Sequence, residues 1–412
     1  MMELIVSLTR KLAKLFLPFS WREKIRTMLF KGFRHSSVLP WLSKTGLLIY
    51  KNYIAIDLSN VGQKFNHPDV KIYILEEKDK VRSPICIYGD NLESIHSFTA
   101  ITTSIYLEIK NADFSFRNNH LLDGQLNIIG EARSQESDRM MPLPISKQII
   151  SKTHRIAGTV AYLSDPDPGN YYHWMCRTFP LLRIYQKFIN SQEIDFFYVG
   201  QVKLASFHKE SLRRLGIEET KILQEACVAD KLMMAVTNRT LDYGDSINKE
   251  AYLFSRSMFA NELTQTGGGQ RLYVERGNTV RRKIINESEV INLLVNKYSF
   301  TVVSMDGRTI KEQANLFAQA EAIVAAHGAA LTNLLFVQPG TKVIELMPQG
   351  YINNCFYTMS SYAEADYFCL QSEEVEHPES LDRRYLNLCI DLKKLNQICD
   401  LALLPRSVIR TT

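Results

Sequence analysis

Residues 321–346, "EAIVAAHGAALTNLLFVQPGTKVIEL", decide how this chain is read. The stretch from Ala322 to Thr341 carries no formal charge and has about the length of a helix that spans a bilayer. Gly328, Thr332, Asn333, Gln338, Pro339 and Gly340 punctuate it, so it parses as strand, turn, helix, turn and strand within a buried α/β unit. It is not a membrane helix.

The flanking sequence keeps that rhythm. "RLYVER" (271–276) reads as a strand and "NESEVINLLVNKY" (286–298) as a helix whose Asn286 and Glu289 match a capping box. "FTVVSM" (300–305) is the next strand. "TIKEQANLFAQA" (309–320) is a helix with the same start signal, Thr309 and Glu312, and "TKVIELMP" (341–348) is a further strand. Strict alternation implies right-handed crossovers and a doubly wound parallel sheet with helices on both faces.

Further back, a helix-like stretch at 247–262 leads into "TQTGGGQ", where Gly267, Gly268 and Gly269 make a flexible connection. Before it, apolar runs such as "KNYIAIDL", "VRSPICIYG", "QLNIIGEA" and "GTVAYLS" suggest strands, and "ASFHKESLRRLG" suggests a helix. The expected organisation is a basic N-terminal segment (1–35), a first domain (36–265), a second domain (270–375) and a helical C-terminal segment (376–412).

Composition agrees with folded domains: 412 residues, 45% hydrophobic, 23% charged and 10% aromatic. The formal charge of +5 is concentrated between Met1 and Arg34, where eight basic residues face two acids, leaving a body close to neutral. A nucleic-acid binder spreads its basic residues over a folded face, so no nucleic-acid partner is expected. Within that segment Leu4, Ile5, Leu8, Leu12, Leu15 and Phe16 recur at helical spacing around Arg10, Lys11 and Lys14. Such a helix either lies peripherally on a membrane or packs on the protein's own body. Pro18 interrupts it, and no small-residue cleavage site follows a proper apolar core, so a signal peptide is not expected. The seven cysteines form no CxxC pair and no metal-spaced cluster, which points to reduced thiols in a cytoplasmic protein.

In a doubly wound sheet, ligands bind beyond the carboxyl ends of the strands. His327 ends one strand, and Gly328 and Ala329 begin the next helix, whose first amides suit a diphosphate. The alternative is a satisfied core histidine. Glu345, ending the next strand, suits either vicinal hydroxyls of a ribose or a salt bridge. Arg276, Arg281 and Arg282, in "ERGNTVRRKIIN", are either phosphate forks or solvated loop cations. Neither GxGxxG nor GxxxxGK[ST] occurs.

The first half carries "SDPDPGNYYHWMCRTFPLLRIY" (164–185). Asn170 can cap a helix with His173 and Arg177 on one face and Trp174, Thr178 and Leu181 on another. The pattern fits a sugar-binding or acid/base role, or else a helix that buries Tyr171, Tyr172 and Trp174. Asp165 and Asp167 have the spacing of a DxD metal motif, but Pro166 and Pro168 favour a turn.

"NYYHW", "ERGNTVRRKIINESE" and "AAHGAALTNLLFVQPGTKVIEL", in this order and over roughly residues 150–350, resemble glycosyltransferase family 61, described as capsular polysaccharide biosynthesis proteins. The resemblance implies a GT-B fold, with two Rossmann-like domains facing a cleft, and an inverting transfer from a nucleotide-sugar donor with no essential metal and no cofactor. The acceptor would be a glycan or a lipid-linked saccharide at the inner membrane face. The donor would lie on the C-terminal sheet at His327, Gly328, Ala329, Asn333, Glu345 and the three arginines. The acceptor side would hold Asn170, Tyr172, Trp174 and Arg177, with His173 as catalytic base and Asp167 in reserve. Where relatives read His-Trp-Leu-x-Glu-x-Leu-Pro-Arg, this chain has Arg177 and Leu181. If that glutamate is the catalytic base the chain is impaired; if it only pairs with the arginine four residues on, loss of both together is tolerable, and the paired change favours the second view. The alternative is a non-catalytic subunit that binds a sugar nucleotide or glycan in a polysaccharide-assembly complex.

Overall fold

The computed structural model describes residues 53–54, 68–88, 97–113, 121–122, 128–129, 154–164, 167–200, 202–225, 227–240, 247–261, 263, 269–277, 282–349, 353–375 and 387–404. The basic segment 1–35, Asp165 and Arg281 lie outside them.

Among the described residues the strands form two sheets, of nine and seven strands. The second sheet follows the expected alternation. Its parallel strands run in the order Thr301–Val303, Gln270–Val274, Ala320–Ala326, Lys342–Pro348 and Asp366–Val375. Every residue of the last six in Lys342–Pro348 is buried, as expected where helices cover both faces. Helices Glu287–Tyr298 and Leu392–Ala402 cover one face through Val290, Leu294, Leu395 and Ile398. Ile310–Ala318 and Cys355–Tyr362 cover the other through Phe317, Phe356 and Met359.

Two local expectations turn out differently. Thr309 and Glu312 do form a capping box, with Thr309 Oγ1 accepting from the Glu312 amide at 3.2 Å and Glu312 Oε2 accepting from the Thr309 amide at 2.8 Å. Asn286 does not cap its helix. Its side chain instead pairs with the backbone of Ile390, donating to the carbonyl and accepting from the amide, both at 2.9 Å. The segment after His327 is a 3-10 helix, Ala329–Leu335, rather than an α-helix.

The first sheet is mixed. Its centre is the long strand Phe98–Asp113, antiparallel to both Val70–Val81 and Val228–Thr240. Arg155–Tyr162, Phe196–Tyr198 and Ile222–Leu223 then follow in parallel. One strand of this half, Cys86–Tyr88, leaves it and pairs with Asp366–Val375 of the second sheet.

A single apolar cluster joins the halves. It contains Ala161, Phe197 and Met233 from the first sheet and Val274, Ile323 and Val343 from the second. Polar ties cross at the same boundary. Glu210 accepts from the Ile310 and Lys311 amides at 2.8 and 3.1 Å, and Arg256 donates to the carbonyls of Leu335 and Val337 at 2.6 and 2.9 Å. No described helix is long and apolar enough to cross a membrane.

Candidate active site at the carboxyl edge of the second sheet

His327 follows the strand Ala320–Ala326, and its amide still bonds to the Leu346 carbonyl at 2.9 Å, so its backbone is held by the sheet. Its side chain is only 5% exposed. Nδ1 lies 2.5 Å from Glu345 Oε1, and the Tyr367 hydroxyl donates to Glu345 Oε2 at 2.6 Å. Burial pushes the Tyr367 phenol well above its ordinary range, reinforced by the neighbouring carboxylate, so it stays a donor. An ionised Glu345 accepts only, which places the proton of the imidazole on Nδ1.

Glu345 is therefore not presented to a ribose. It is fully buried, and both oxygens are engaged within the protein. The hydrogen bonds from His327 and Tyr367 explain a carboxylate in the middle of a buried strand, where one without partners would be very costly. Asn333 is corrected in the same way. It is fully buried, donates to Gln313 Oε1 at 2.7 Å and to the Ala330 carbonyl at 3.0 Å, and accepts from the Tyr171 hydroxyl at 3.1 Å. Its amide secures the turn and reaches across to the first half.

Two arginines converge on the same point. Arg276 Nη1 and Arg282 Nε donate to the His327 carbonyl at 2.7 and 3.0 Å. Gly328 makes room for this: a Cβ there would lie 1.9 Å from Arg276 Nη1. The reason for glycine is space for a guanidinium, since its φ of 173° is an extended conformation open to any residue. Arg282 itself holds a left-handed backbone, φ 54°, which a side-chain-bearing residue adopts at a cost. Two guanidinium groups on one neutral oxygen concentrate positive charge, and an anion that shares them relieves their mutual repulsion.

The first half meets this edge through rings. Asn170 caps the short helix Tyr171–His173, accepting from the Tyr172 and His173 amides at 2.9 and 3.4 Å, as its position implied. His173 contacts Tyr172 edge-on at 6.1 Å between ring centres, Tyr172 contacts Phe356 at 5.5 Å, and Phe356 contacts His327 at 5.1 Å. His173 is half-buried at the outer end of this row.

The acceptor-side residues separate. Trp174 is fully buried, donates to Ser211 Oγ at 2.8 Å and packs on His208 and Phe179, so it is core and unavailable to an acceptor. Tyr172 is also buried and forms wall rather than surface. A π-turn, Trp174–Thr178, closes with the Phe179 amide donating to the Trp174 carbonyl at 2.8 Å. The extra residue lets both aromatic rings face the core, and it breaks the α-helical register assumed for His173 and Arg177. Arg177 remains half-buried and Asp167 exposed, the latter in a turn whose carbonyl accepts from the Asn170 amide at 3.1 Å.

Sequence reasoning missed Tyr367, Phe356 and His208. His208 is buried, accepting at Nδ1 from the Ala205 amide and lying 2.9 Å from the Pro168 carbonyl at Nε2. It holds the turn that carries Asp167 and Asn170. Phe356 looks in sequence like ordinary core, Tyr367 like a strand residue, and His208, in the charged stretch SFHKESLRR, like part of a solvated helix face.

Residues 171–344 match the family Glycosyltransferase 61. Similar proteins include Protein O-linked-mannose beta-1,4-N-acetylglucosaminyltransferase 2 of Xenopus laevis, 33% identical over 168 residues, which are 39% of this chain and 25% of that protein. The Bos taurus protein of the same name is 28% identical over 119 residues (28% and 20%), and the Homo sapiens one is 30% identical over 92 (22% and 16%). The chain thus spans a quarter or less of the length of these relatives. The matched stretch contains the Asn170-capped helix, the two arginines and the His327 turn, so it is over this part of the chain that the protein is similar to glycosyltransferase family 61.

Proposed function

We propose that the chain is a glycosyltransferase of GT-B type that moves a sugar from a nucleotide-sugar donor to a hydroxyl of a glycan or lipid-linked acceptor, with inversion and without a metal. The observation that carries this reading is the convergence of Arg276 and Arg282 on the His327 carbonyl at the carboxyl edge of the second sheet. A nucleoside diphosphate bound there shares both guanidinium groups, and its leaving charge is stabilised by cations already in place. His173 accepts the proton of the acceptor hydroxyl as its oxygen attacks C1, while the bond from C1 to the diphosphate breaks. His173 suits that role because a neutral imidazole nitrogen accepts a proton and because the ring row ties it to His327. Asp167 is the reserve. The relatives' names specify transfer of N-acetylglucosamine to O-linked mannose, and a related glycan, including a surface or capsular polysaccharide, is the proposed acceptor class.

A thermal-shift screen against UDP, GDP, CMP and their sugars tests the donor site. Ligand at about 100 times its Kd stabilises by roughly 2.7 kcal/mol, a shift that Arg276→Ala and Arg282→Ala should abolish. His173→Ala should keep the shift and lower turnover by about 10²–10⁴-fold. If no nucleotide shifts the folded wild type, the donor reading fails. Binding without turnover on any acceptor leaves the non-catalytic subunit, which Arg177 at the position of the family's acid favours.

A further inference from the structure

Gln371 is 8% exposed, and among the described residues neither its Nε2 nor its Oε1 has a hydrogen-bond partner. A buried primary amide with both ends unmatched is uncommon and costly, because it has given up water on donor and acceptor alike. Its place in the sheet says where those atoms look. Gln371 pairs in register with Met347, one residue past Leu346, whose carbonyl holds the His327 amide. Paired residues of parallel strands share a face, so His327, Met347 and Gln371 form a row across the carboxyl edge. The face is the one on which Ala325, Met347 and Cys369 meet the helix Cys355–Tyr362.

A second observation lies at the same edge. Helix Cys355–Tyr362 begins there, since Phe356 in its first turn contacts His327 at 5.1 Å between ring centres. Its N-cap residue, Asn354, makes no side-chain capping bond, and Asn354 Oδ1 is likewise buried without a partner among the described residues. Two buried amide side chains, on different elements, thus leave hydrogen-bonding capacity unused at one end of one sheet face.

We propose that Gln371, with Asn354 at the start of the helix over the same sheet face, forms the specificity subsite for an uncharged part of the donor that carries both a hydrogen-bond donor and an acceptor. This rests on the reading of the His327 edge as the donor site. Spacing supports it: strands lie about 4.8 Å apart, so Gln371 stands roughly 10 Å along the edge from His327, two strands away. A group attached to either end of a diphosphate held at Arg276 and Arg282 reaches that far. A primary amide pairs in two parallel hydrogen bonds with the cis N–H/C=O edge of a nucleobase such as uracil or guanine, whereas an acetamido group on the sugar, whose N–H and C=O point opposite ways, meets the amide through one of them and leaves the other for Asn354.

Calorimetric titration of the full chain separates these sources. The ligands are UDP, UDP-glucose and UDP-N-acetylglucosamine, or the matching set for whichever nucleoside diphosphate the wild type binds. Gln371→Leu removes both unmatched atoms at similar volume, so it should fold with an undiminished melting temperature, and Arg276→Ala serves as the control for the diphosphate site. If the base occupies the subsite, Gln371→Leu weakens all three ligands by about tenfold. If the acetamido group does, only UDP-N-acetylglucosamine weakens. Equal affinities of wild type and Gln371→Leu for all three, with Arg276→Ala still abolishing binding, overturn the subsite and leave the donor site standing. Absence of nucleotide binding by the folded wild type overturns both.

Discussion

His208 shows how one buried ring can couple stability to pH. Burial lowers its pKa below the ordinary 6.5, against the opposing hydrogen bond to the Pro168 carbonyl, while the Ala205 amide, by donating to Nδ1, favours the neutral ring. The imidazole is therefore neutral in the fold, Nδ1 accepting from Ala205 and Nε2–H donating to Pro168. In the unfolded chain the same ring takes up a proton near its ordinary value. Below about pH 6.5 the unfolded state binds more protons, so the stability that His208 contributes is complete above that pH and declines as pH falls toward the lowered folded value. Denaturant unfolding followed from pH 8 to pH 5 should show wild type losing more stability than His208→Gln across that window. Parallel slopes for the two proteins would refute the assignment. The sequence shows a histidine in a polar-looking helix, "SFHKESLRR", and nothing there indicates that Trp174 and Phe207 close over it. By contrast, His327 and Gly328 were legible as a pair, because a strand ending in His-Gly sits at a ligand edge wherever the sheet is parallel. Their tasks were not: Gly328 admits an arginine, and Glu345 serves His327, relations that depend on residues 18 to 52 positions away in the chain.

At the scale of elements, what was legible is what is local. Thr309 and Glu312 satisfy each other within one turn, and the alternation of strands and helices from 270 to 348 needs only periodicity to be read. Asn286 failed because Ile390, more than a hundred positions later, offers its side chain two backbone bonds at once. The long strands Val70–Val81 and Val228–Thr240 were not singled out either, since "VKIYILEEKDKV" alternates with charges on an exposed face and lacks a compact apolar run. The start of helix Ile310–Ala318 combines both kinds of information. Thr309 covers the Glu312 amide, whereas the Ile310 and Lys311 amides are covered by Glu210 from the other half. A carboxylate at that position also complements the helix dipole. Glu210→Ala should therefore cost about 1 kcal/mol, comparable to the loss of an N-cap, measured as a lowered urea midpoint with an unchanged slope. An unchanged midpoint would mean that water replaces the carboxylate at no cost.

At the scale of the whole molecule, two sheets share one interior. The glycines at 267–269 separate them in sequence, yet Phe259 packs edge-on against Phe336 at 5.8 Å, and Tyr171, Tyr172, Arg256 and Glu210 all reach across. The Cys86–Tyr88 strand adds backbone pairing from the first half to the second sheet. A fragment spanning 269–404 would lose that strand. It would also expose the apolar surface that Leu334, Leu335 and Phe336 bury, and leave the Leu335 and Val337 carbonyls without Arg256. Apolar area returned to water costs about 25 cal/mol per Å², and a domain is stable by only about 5–15 kcal/mol, so a few hundred Å² of such surface is enough to remove a fragment's margin. The intact chain should melt in one cooperative transition, and the isolated fragment should give a broad, non-cooperative melt with exposed hydrophobic surface. A fragment that melts sharply within a few degrees of the whole chain would show instead that the second sheet carries its own core. In that case the convergence of His173 and His327 through Phe356 would depend on docking of two independent bodies rather than on a common interior.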